Sequence, residues 1–254
     1  MNNEQRIKTN KIAIDEDDVK LFFNNRVNKN LPYLINYTNY QDKHPELALE
    51  RDKYEKDRIM PFLHLQPESR VLDIGCGVGR WGNHMLKILS NQGIYVGADY
   101  SGNILNLARN HFRENKNFYF YESSFQDVLL NLPENIRNNK FDVILINGVM
   151  MYINDTDLAQ CMSNLKELVA VSGRICIKES VGLQDRLTLN KLYSEELESK
   201  YSAIYRGVEE YNILFRDAFS GDKYNIVYQD VMWQGDLANR KETTAYFWII
   251  KKTG

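Results

Sequence analysis

The stretch VLDIGCGVGRWG, residues 71–82, decides the fold of this chain. An apolar strand carrying Asp73 runs into glycines at alternate positions from Gly75 to Gly79, and a helical pattern follows. Glycines let the backbone turn sharply and let a ligand lie directly against main-chain N–H groups. In doubly wound α/β sheets, ligands bind beyond the carboxyl ends of the strands. The stretch therefore predicts a binding loop at the end of the first strand of such a sheet.

Two features separate this loop from the fingerprint of dinucleotide-binding proteins. Its spacing is GxGxG, whereas the dinucleotide fingerprint is GxGxxG, which delivers a pyrophosphate to a helix N-terminus. Asp73 also lies in the turn, where a negative charge repels a pyrophosphate but suits a cationic ligand. The loop favours a nucleoside with a zwitterionic tail over a dinucleotide.

Residues at the ends of the next two strands fit the same ligand. Asp99, in VGADYS, ends the second strand, where a carboxylate can accept both ribose hydroxyls; a solvated strand-end acid or helix cap is the alternative. Tyr100 packs against ribose or adenine, or covers the sheet edge. Ser124 and Phe125, in SSFQD after the third strand, occupy the turn where adenine would be read, although Phe125 suits an ordinary core position equally well.

The order of the elements predicts an α/β fold. Strands alternate with helical patterns, which indicates an open, mostly parallel sheet with helices on both faces. Two late segments, residues 224–233 and 243–251, are rich in β-branched and aromatic residues and predict a closing antiparallel hairpin. The predicted parallel strands are residues 71–74, 94–99, 117–122, 141–147 and 173–179.

The motifs DIGCGVGR, VGADYS, SSFQD, FDVILIN and GRICIKE, in that order, resemble the class I S-adenosylmethionine-dependent methyltransferases from about Arg70 to Lys252. The resemblance implies a Rossmann-like sheet and S-adenosyl-L-methionine as cofactor. It implies that the glycine loop supports the methionine part, that Asp99 holds the ribose, and that the turn after strand three reads adenine. The implied cofactor-binding residues are Asp73, Gly75, Cys76, Gly77, Arg80, Asp99, Tyr100, Ser124, Phe125, Asn147 and Gly148.

From the fourth strand onward the chain is also similar to the α-N-terminal protein methyltransferases. IKES at 177–180 and YRGVEEYNILF at 205–215 follow their order, and Arg80 matches an arginine that grips the cofactor carboxylate. The match fails where the acceptor chemistry lies. That family has a tryptophan at Gly148, a histidine at Tyr152 and an aspartate at Glu179. These departures favour a different acceptor and leave a peptide acceptor as the alternative.

Three residues are candidates for catalysis. Methyl transfer is a direct displacement, so the protein mainly positions two partners and excludes water, and a hydroxyl or ammonium acceptor must also lose a proton. Glu179 and Tyr152 are candidate bases near the strand ends, and Arg206 could hold an anionic substrate. Each has an ordinary alternative: Glu179 caps a helix, Tyr152 packs, and Arg206 pairs with Glu209 or Glu210.

The residues before the first strand predict a helical lid, with residues 1–65 as an N-terminal extension and 66–254 as the methyltransferase domain of one compact unit. We expect a flexible start over residues 1–13, helices near 15–27 and 45–65, and a kink or end at Pro61. A solvated lid without substrate contacts is the alternative. The stretch 181–222 is a second expected contributor to the acceptor pocket. The candidate pocket residues are Arg26, Tyr33, Tyr37, Tyr40, Arg51 and Met151.

The composition limits the kinds of partner that we expect this protein to bind. The formal net charge is −2 and no stretch is strongly basic, which predicts no nucleic-acid partner. The three cysteines lack a CxxC spacing and the four histidines are scattered, so we expect neither a disulfide framework nor a metal site. MNNEQRIKTN lacks the apolar run of a signal peptide, and no apolar stretch reaches the length of a membrane span. We therefore expect a cytoplasmic protein without a membrane partner; the sequence makes no prediction of oligomeric state.

The leading functional hypothesis is transfer of a methyl group to an oxygen or nitrogen of a small-molecule acceptor. FFNNR (22–26) and GVGRW (77–81) give the chain a similarity to bacterial methyltransferases that accompany surface-sugar pathways, which implies a sugar or phosphate-derived acceptor in capsule or polysaccharide biosynthesis. One alternative is a peptide or protein N-methyltransferase. Another is a nucleotide-binding module that transfers no methyl group.

Overall fold

The computed structural model describes residues 5–39, 43–220 and 223–254. Over these ranges it has ten strands and eight α-helices. The strands are β1 (Gln5–Lys8), β2 (Arg70–Ile74), β3 (Ile94–Asp99), β4 (Phe118–Glu122), β5 (Phe141–Asn147), β6 (Val169–Gly182), β7 (Leu187–Ser194), β8 (Ser199–Tyr205), β9 (Tyr224–Val231) and β10 (Thr243–Lys252). The helices are α1 (Glu16–Arg26), α2 (Pro45–Leu63), α3 (Arg80–Met85), α4 (Gly102–His111), α5 (Val128–Asn131), α6 (Glu134–Arg137), α7 (Asp155–Leu168) and α8 (Val208–Ala218).

The central sheet has seven strands in the order β4-β3-β2-β5-β6-β10-β9. Neighbouring strands from β4 to β6 are parallel, and β10 is antiparallel to both β6 and β9. The prediction of a mostly parallel sheet with an antiparallel last strand is confirmed. Because β2 lies between β3 and β5, the chain order reverses at β2, and its carboxyl end lies at the switch point where such sheets bind ligands.

Both faces of the sheet are covered. Leu72 and Ile74 of β2 point to the face where α7 and α8 pack, with Leu165 and Phe215 in the same core. Val71 points to the opposite face, whose core includes residues of α2 and α3 such as Ile59, Leu63, Trp81 and Met85. This alternation is the period-2 pattern of a strand buried on both faces. The predicted helices on both faces are therefore confirmed.

A second, three-stranded antiparallel sheet, in the order β1-β7-β8, stands beside the first. Residues Gln5–Lys8 pair with Leu187–Asn190, so the expectation of a flexible start is wrong for these four residues. The lid is correspondingly not purely helical. The hydrogen bonds that order β1 come from a strand about 180 positions away, and ion pairs from Arg6 and Lys8 to Glu242 add to them.

Helix α2 packs in the core of the central sheet, whereas α1 packs in a smaller cluster beside β8. Asp15 caps α1 by accepting the N–H of Asp18, and Pro45 stands in the first turn of α2, where a missing N–H costs nothing. Helix α2 continues through Pro61 to Leu63. The division at residues 65 and 66 stays a prediction. None of the helices in the described part of the chain has the length and apolar character needed to cross a membrane.

Candidate active site

A cavity of about 1200 Å³ opens at the edge of the central sheet where the parallel strands end. We divide its wall into two halves. The glycine-loop half consists of Asp73, Gly75, Cys76, Gly77, Arg80, Asp99, Tyr100, Ser124, Phe125, Asn147 and Gly148. The aromatic half consists of Arg6, Arg51, Met151, Tyr152, Tyr193, Leu197, Tyr201, Tyr205, Trp233, Asn239 and Arg240.

The loop after β2 depends on its glycines. Gly75, Gly77 and Gly79 have φ angles of +70°, +55° and +79°, in the left-handed region that favours glycine. A Cβ at Gly75 would lie 2.2 Å from Cγ2 of Val149. The N–H groups of Gly75 and Cys76 donate to the carbonyl of Ala98, at 2.7 and 3.0 Å. These amides are therefore not free for a ligand as the sequence suggested, and the bare surface of the loop is what faces the cavity.

Asp99 is held at the tip of β3 by two backbone donors. Gly77 N–H donates to Oδ2 and Ser101 N–H to Oδ1, both at 2.9 Å. Burial raises the pKa of Asp99 to about 6, although both N–H groups act to lower it. A carboxylate has about four acceptor positions, so two remain after these bonds. The group can accept a pair of adjacent hydroxyls.

Asp73 lies on the cavity wall in buried surroundings. Its Oδ2 accepts the phenol of Tyr95 at 2.6 Å. Burial raises the pKa of Asp73 to about 7, with the Tyr95 hydrogen bond acting against the rise. The carboxyl group on this part of the wall therefore exchanges its proton near neutral pH.

Arg80 lies on the cavity wall within a network of buried ion pairs. Its guanidinium contacts Asp52 at 2.8 Å and Glu55 at 2.5 Å, and Lys178 contacts Glu55 at 3.0 Å. Burial alone would raise the pKa of Glu55, but the charges of Arg80 and Lys178 outweigh it and lower that pKa to about 2. The charge of Arg80 is thus already balanced by protein carboxylates, and its expected grip on a cofactor carboxylate stays a prediction.

Asn147 gives the cavity wall polar atoms that the described protein does not pair, and Gly148 lies next to it on the same wall. Both the Nδ2 and the Oδ1 of Asn147 are buried and have no hydrogen-bond partner within the described protein. Leaving such atoms unpaired costs about 1–3 kcal/mol. Gly148 has a φ of +69°, and nothing lies within 4 Å of where its Cβ would be. The loop after β5 thus offers a donor, an acceptor and open space to a polar ligand.

The residues predicted to read adenine are also on the wall. Ser124 donates its hydroxyl to Asp127 at 2.8 Å and accepts the N–H of Asp127 at 3.1 Å. Phe125 is buried and packs in the main core while also lining the cavity. The hydroxyl of Tyr100 is buried without a partner, and its ring contacts Phe23 of α1.

The aromatic half contains two phenols that are hydrogen-bonded to each other and a third on the same wall. The hydroxyls of Tyr152 and Tyr201 lie 2.7 Å apart, and Tyr205 also lines the cavity. Burial raises the pKa of Tyr201 well above its usual value, and it raises that of Tyr205 as well. These two phenols stay protonated and act as hydrogen-bonding groups rather than as bases.

Glu179 does not face the cavity, so the expectation that it lies in the same cleft is wrong. Side chains alternate along β6, and its neighbours Lys178 and Ser180 are the ones on the cavity wall. The Glu179 carboxylate is fully buried and accepts the N–H groups of Val149 and Met150 at 2.9 Å and of Met151 at 3.3 Å. Burial raises the pKa of Glu179 to about 7, against the pull of these three donors.

Arg206 is likewise absent from the cavity wall. Its buried guanidinium donates to the carbonyls of Met150 at 2.8 Å and Ile153 at 2.7 Å, and it pairs with Asp155. The pairing with Glu209 or Glu210 considered from the sequence is not formed, since Glu210 pairs with Arg186. Glu179 and Arg206 together brace the segment 149–153, which we call the β5 loop, one holding its N–H groups and the other its carbonyls.

Of the pocket residues predicted in the N-terminal extension, some line the cavity and others do not. Arg51 lines the cavity, but Arg26 is buried and donates to the carbonyls of Asn36 and Tyr37. Tyr33 and Tyr37 are also away from the wall, the latter donating its hydroxyl to Lys29. Tyr40 lies outside the described residues. Within those residues, no group of three or more His, Cys, Asp or Glu side chains is placed to hold a metal ion.

Sequence reasoning missed several wall residues. Tyr201 and Tyr205 are four positions apart on β8, and the alternation in SKYSAIY was a usable signal for a strand with both on one face. Trp233, Asn239 and Arg240 stand in a segment between β9 and β10 that has no periodic pattern, and no local signal identifies them.

Comparison with known proteins agrees with this architecture. The family model described as a methyltransferase domain matches residues 65–239, and the chain belongs to that family. The predicted class I S-adenosylmethionine-dependent methyltransferase family is thereby confirmed.

Two kinds of curated relative illustrate the similarity. Phosphoethanolamine N-methyltransferase 3 from Arabidopsis thaliana is 24% identical over 177 residues, which is 69% of this chain and 33% of the relative. Demethylmenaquinone methyltransferase from Staphylococcus saprophyticus is 26% identical over 122 residues, 48% of each chain. The chain thus spans a third to a half of the length of these relatives.

Solved structures share the fold. Phosphoethanolamine N-methyltransferase 1 from Haemonchus contortus superposes with a TM-score of 0.70 at 17% identity, covering 93% of this chain and 48% of that one. A SAM-dependent methyltransferase from Leishmania major has a TM-score of 0.64 at 17% identity, covering 92% and 82%. At this identity the likeness concerns the fold alone.

Proposed function

We propose that the protein binds S-adenosyl-L-methionine in the glycine-loop half of the cavity and catalyses methyl transfer to an oxygen or nitrogen of a small molecule in the aromatic half. The observation that carries the proposal is the unpaired amide of Asn147 beside the glycine loop. A methionine tail has an ammonium and a carboxylate, and these match the free acceptor and donor of that amide.

The residues of the glycine-loop half divide the cofactor between them. Asp99 would accept the ribose hydroxyls with the acceptor positions that Gly77 and Ser101 leave open. Ser124 and Phe125 would border the adenine, and Asn147 with Gly148 the methionine tail. Bound there, the cofactor supplies a methyl group on a positively charged sulfur, which is a sufficient electrophile without a metal.

The aromatic half would orient the acceptor and keep water away from it. Tyr152 is the member of the proposed catalytic set whose side chain lines the cavity. Its hydroxyl, linked to Tyr201, can fix an acceptor hydroxyl or amine by a hydrogen bond. Glu179 and Arg206 support catalysis in this proposal by holding the β5 loop, not by touching the acceptor.

A small acceptor is favoured over a peptide. The cavity is larger than the roughly 300–1,000 Å³ usual for one ligand, which suits two ligands side by side, and α1, α2 and the small sheet contribute to its wall. The relatives named above carry the names of small acceptors, phosphoethanolamine and demethylmenaquinone. The role in capsule or polysaccharide biosynthesis stays a prediction from the sequence resemblance.

A thermal-shift comparison tests cofactor binding. S-adenosylhomocysteine at 100 times its dissociation constant is expected to stabilise the protein by about 2.7 kcal/mol, whereas NAD at the same concentration leaves the melting temperature unchanged. A shift with NAD and none with S-adenosylhomocysteine would favour the nucleotide-binding alternative. A screen of small amines, alcohols and phosphate esters, scored by release of S-adenosylhomocysteine, then tests transfer itself.

A further inference from the structure

Arg51 has an unusual environment for a buried guanidinium. It lies on α2, is 9% exposed, and forms part of the aromatic half of the cavity wall. Its Nη2 donates to the carbonyl of Leu237 at 2.5 Å and to Oδ1 of Asn239 at 2.7 Å. Its Nε is buried and has no hydrogen-bond partner. The protein thus surrounds this cation with neutral oxygens and leaves one buried donor unpaired.

Two other buried arginines, Arg80 and Arg186, are paired with carboxylates of the protein. Arg80 contacts Asp52 and Glu55, and Arg186 contacts Asp155 and Glu210. Arg51 forms no ion pair with a described carboxylate, and burial lowers its pKa. Since an unpaired buried charge is costly, the difference indicates that an anion from outside the protein completes this site.

The groups around Arg51 shape such a site. Its guanidinium lies 5.3 Å from the ring centre of Trp233, and Lys178 lies 5.8 Å from the same ring. Lys178 contacts Glu55, and the neighbouring Arg240 contacts Glu196 at 3.6 Å. Of these three cations, Arg51 is the one that forms no ion pair with a described carboxylate. A planar guanidinium packed on an indole presents its donors in a fixed direction, which suits a phosphate or carboxylate.

We infer that Arg51 binds an anionic group, a phosphate or a carboxylate, of the methyl acceptor, and that the enzyme is selective for acidic small molecules. The inference rests on the proposed function, because it names the class of acceptor for the same cavity. The partners of Arg51 are Trp233, Leu237 and Asn239, which belong to the segment between β9 and β10 and not to the strand ends that would hold the cofactor. The acceptor, not the cofactor carboxylate, is therefore the source of the anion.

The test measures two affinities separately. With the enzyme saturated with S-adenosylhomocysteine, inorganic phosphate is titrated by calorimetry, with acetate as a second probe. We expect at least one of the two to bind, and Arg51→Gln to weaken it at least tenfold while S-adenosylhomocysteine affinity changes less than twofold. Arg51→Lys keeps the positive charge but lacks the planar guanidinium with its several N–H donors. We expect it to bind the anion with intermediate affinity. Arg216→Gln, at an exposed position of α8, is the matched control and should change neither affinity.

Each outcome is decisive. Absence of binding of both anions to the wild-type complex overturns the inference. So does a loss of S-adenosylhomocysteine affinity in Arg51→Gln with anion binding retained, since Arg51 would then serve the cofactor. If the wild-type protein fails to bind S-adenosylhomocysteine, the proposed function is wrong. Titration of the anion into ligand-free wild-type and Arg51→Gln protein then still tests whether Arg51 binds an anion. Circular dichroism and melting temperature establish that all three variants are folded.

Discussion

The glycine-loop half of the cavity is drawn from residues 73–148, whereas the aromatic half collects residues from Arg6 to Arg240. In the first half, every residue except Arg80, which begins α3, stands at or close to the end of a parallel strand, so the sheet itself sets its position. In the second half, the wall is assembled from helix α2, the three strands of the small sheet, the β5 loop and the connection between β9 and β10, which are far apart in the chain. The first half can therefore be stable wherever the sheet forms, and the second requires long-range contacts.

The β5 loop joins the two halves. Asn147, just before it, belongs to the glycine-loop half, and Met151 and Tyr152 within it belong to the aromatic half. Its backbone is held by Glu179 on one side and Arg206 on the other. The relative geometry of the two halves depends on these two buried charges, which gives three ways to test the comparison.

Removal of Arg206 should have the largest effect. Arg206→Met leaves two buried carbonyls without donors and removes a partner of Asp155, so the free energy of unfolding should fall by about 3–5 kcal/mol. Urea denaturation measures it. Arg216→Met, at an exposed position, should cost no more than about 0.5 kcal/mol. A fully stable but inactive Arg206→Met protein would instead support the catalytic role first considered for Arg206.

Neutralising Glu179 should alter the pH dependence of stability. Because folding raises the pKa of Glu179 from 4.5 to about 7, its stabilising contribution is complete below pH 4.5 and is lost as the pH rises through 7. Glu179→Gln has no proton to lose, so its stability relative to the wild type should rise by about 3 kcal/mol between pH 4.5 and pH 8. Denaturation at both pH values checks this. Asp73 and Asp99 titrate in both proteins, so their contributions cancel when the two free energies of unfolding are subtracted. If this difference were the same at both pH values, the raised pKa of Glu179 would be wrong.

Truncating Asp99 should cause the smallest of the three changes in free energy. It should affect the binding of S-adenosylhomocysteine and leave anion binding unchanged. Asp99→Ala is expected to weaken S-adenosylhomocysteine binding at least tenfold, because hydrogen bonds to a charged acceptor contribute about 1.5–3 kcal/mol. Anion binding in the aromatic half should be unchanged. Asp142→Ala, on the exposed, opposite end of β5, is the matched control. Calorimetry that gives equal affinities for Asp99→Ala and the wild type would remove Asp99 from the site.

The sheet and the glycine-loop half could be predicted from the sequence because their signals are local. Apolar strands, glycines at alternate positions and Asp99 at a strand end lie within about 30 residues of one another. Ser101, a residue type favoured at helix N-caps, accepts the N–H of Ile104 at the start of α4. In such segments, propensity, turn chemistry and burial all favour the same structure.

The remainder could not be predicted, for identifiable reasons. The pattern GRICIKE placed Glu179 at a strand end, but β6 continues to Gly182, so the alternation of side chains and not the strand end determines where Glu179 points. The four residues of β1, QRIK, have no distinctive pattern and are ordered by their partner β7. Arg206 finds its acceptors about 50 residues earlier in the chain, a pairing that no local spacing reveals.

The ion pair between Arg6 and Glu242 has a consequence for biosynthesis. Domains begin to fold from their N-terminal side while translation continues, but the partner of Arg6 leaves the ribosome some 236 residues later. Strand β10, which completes the sheet between β6 and β9, begins at the next residue, Thr243. A nascent chain stalled before this point carries the glycine loop but lacks the contacts that close the acceptor side.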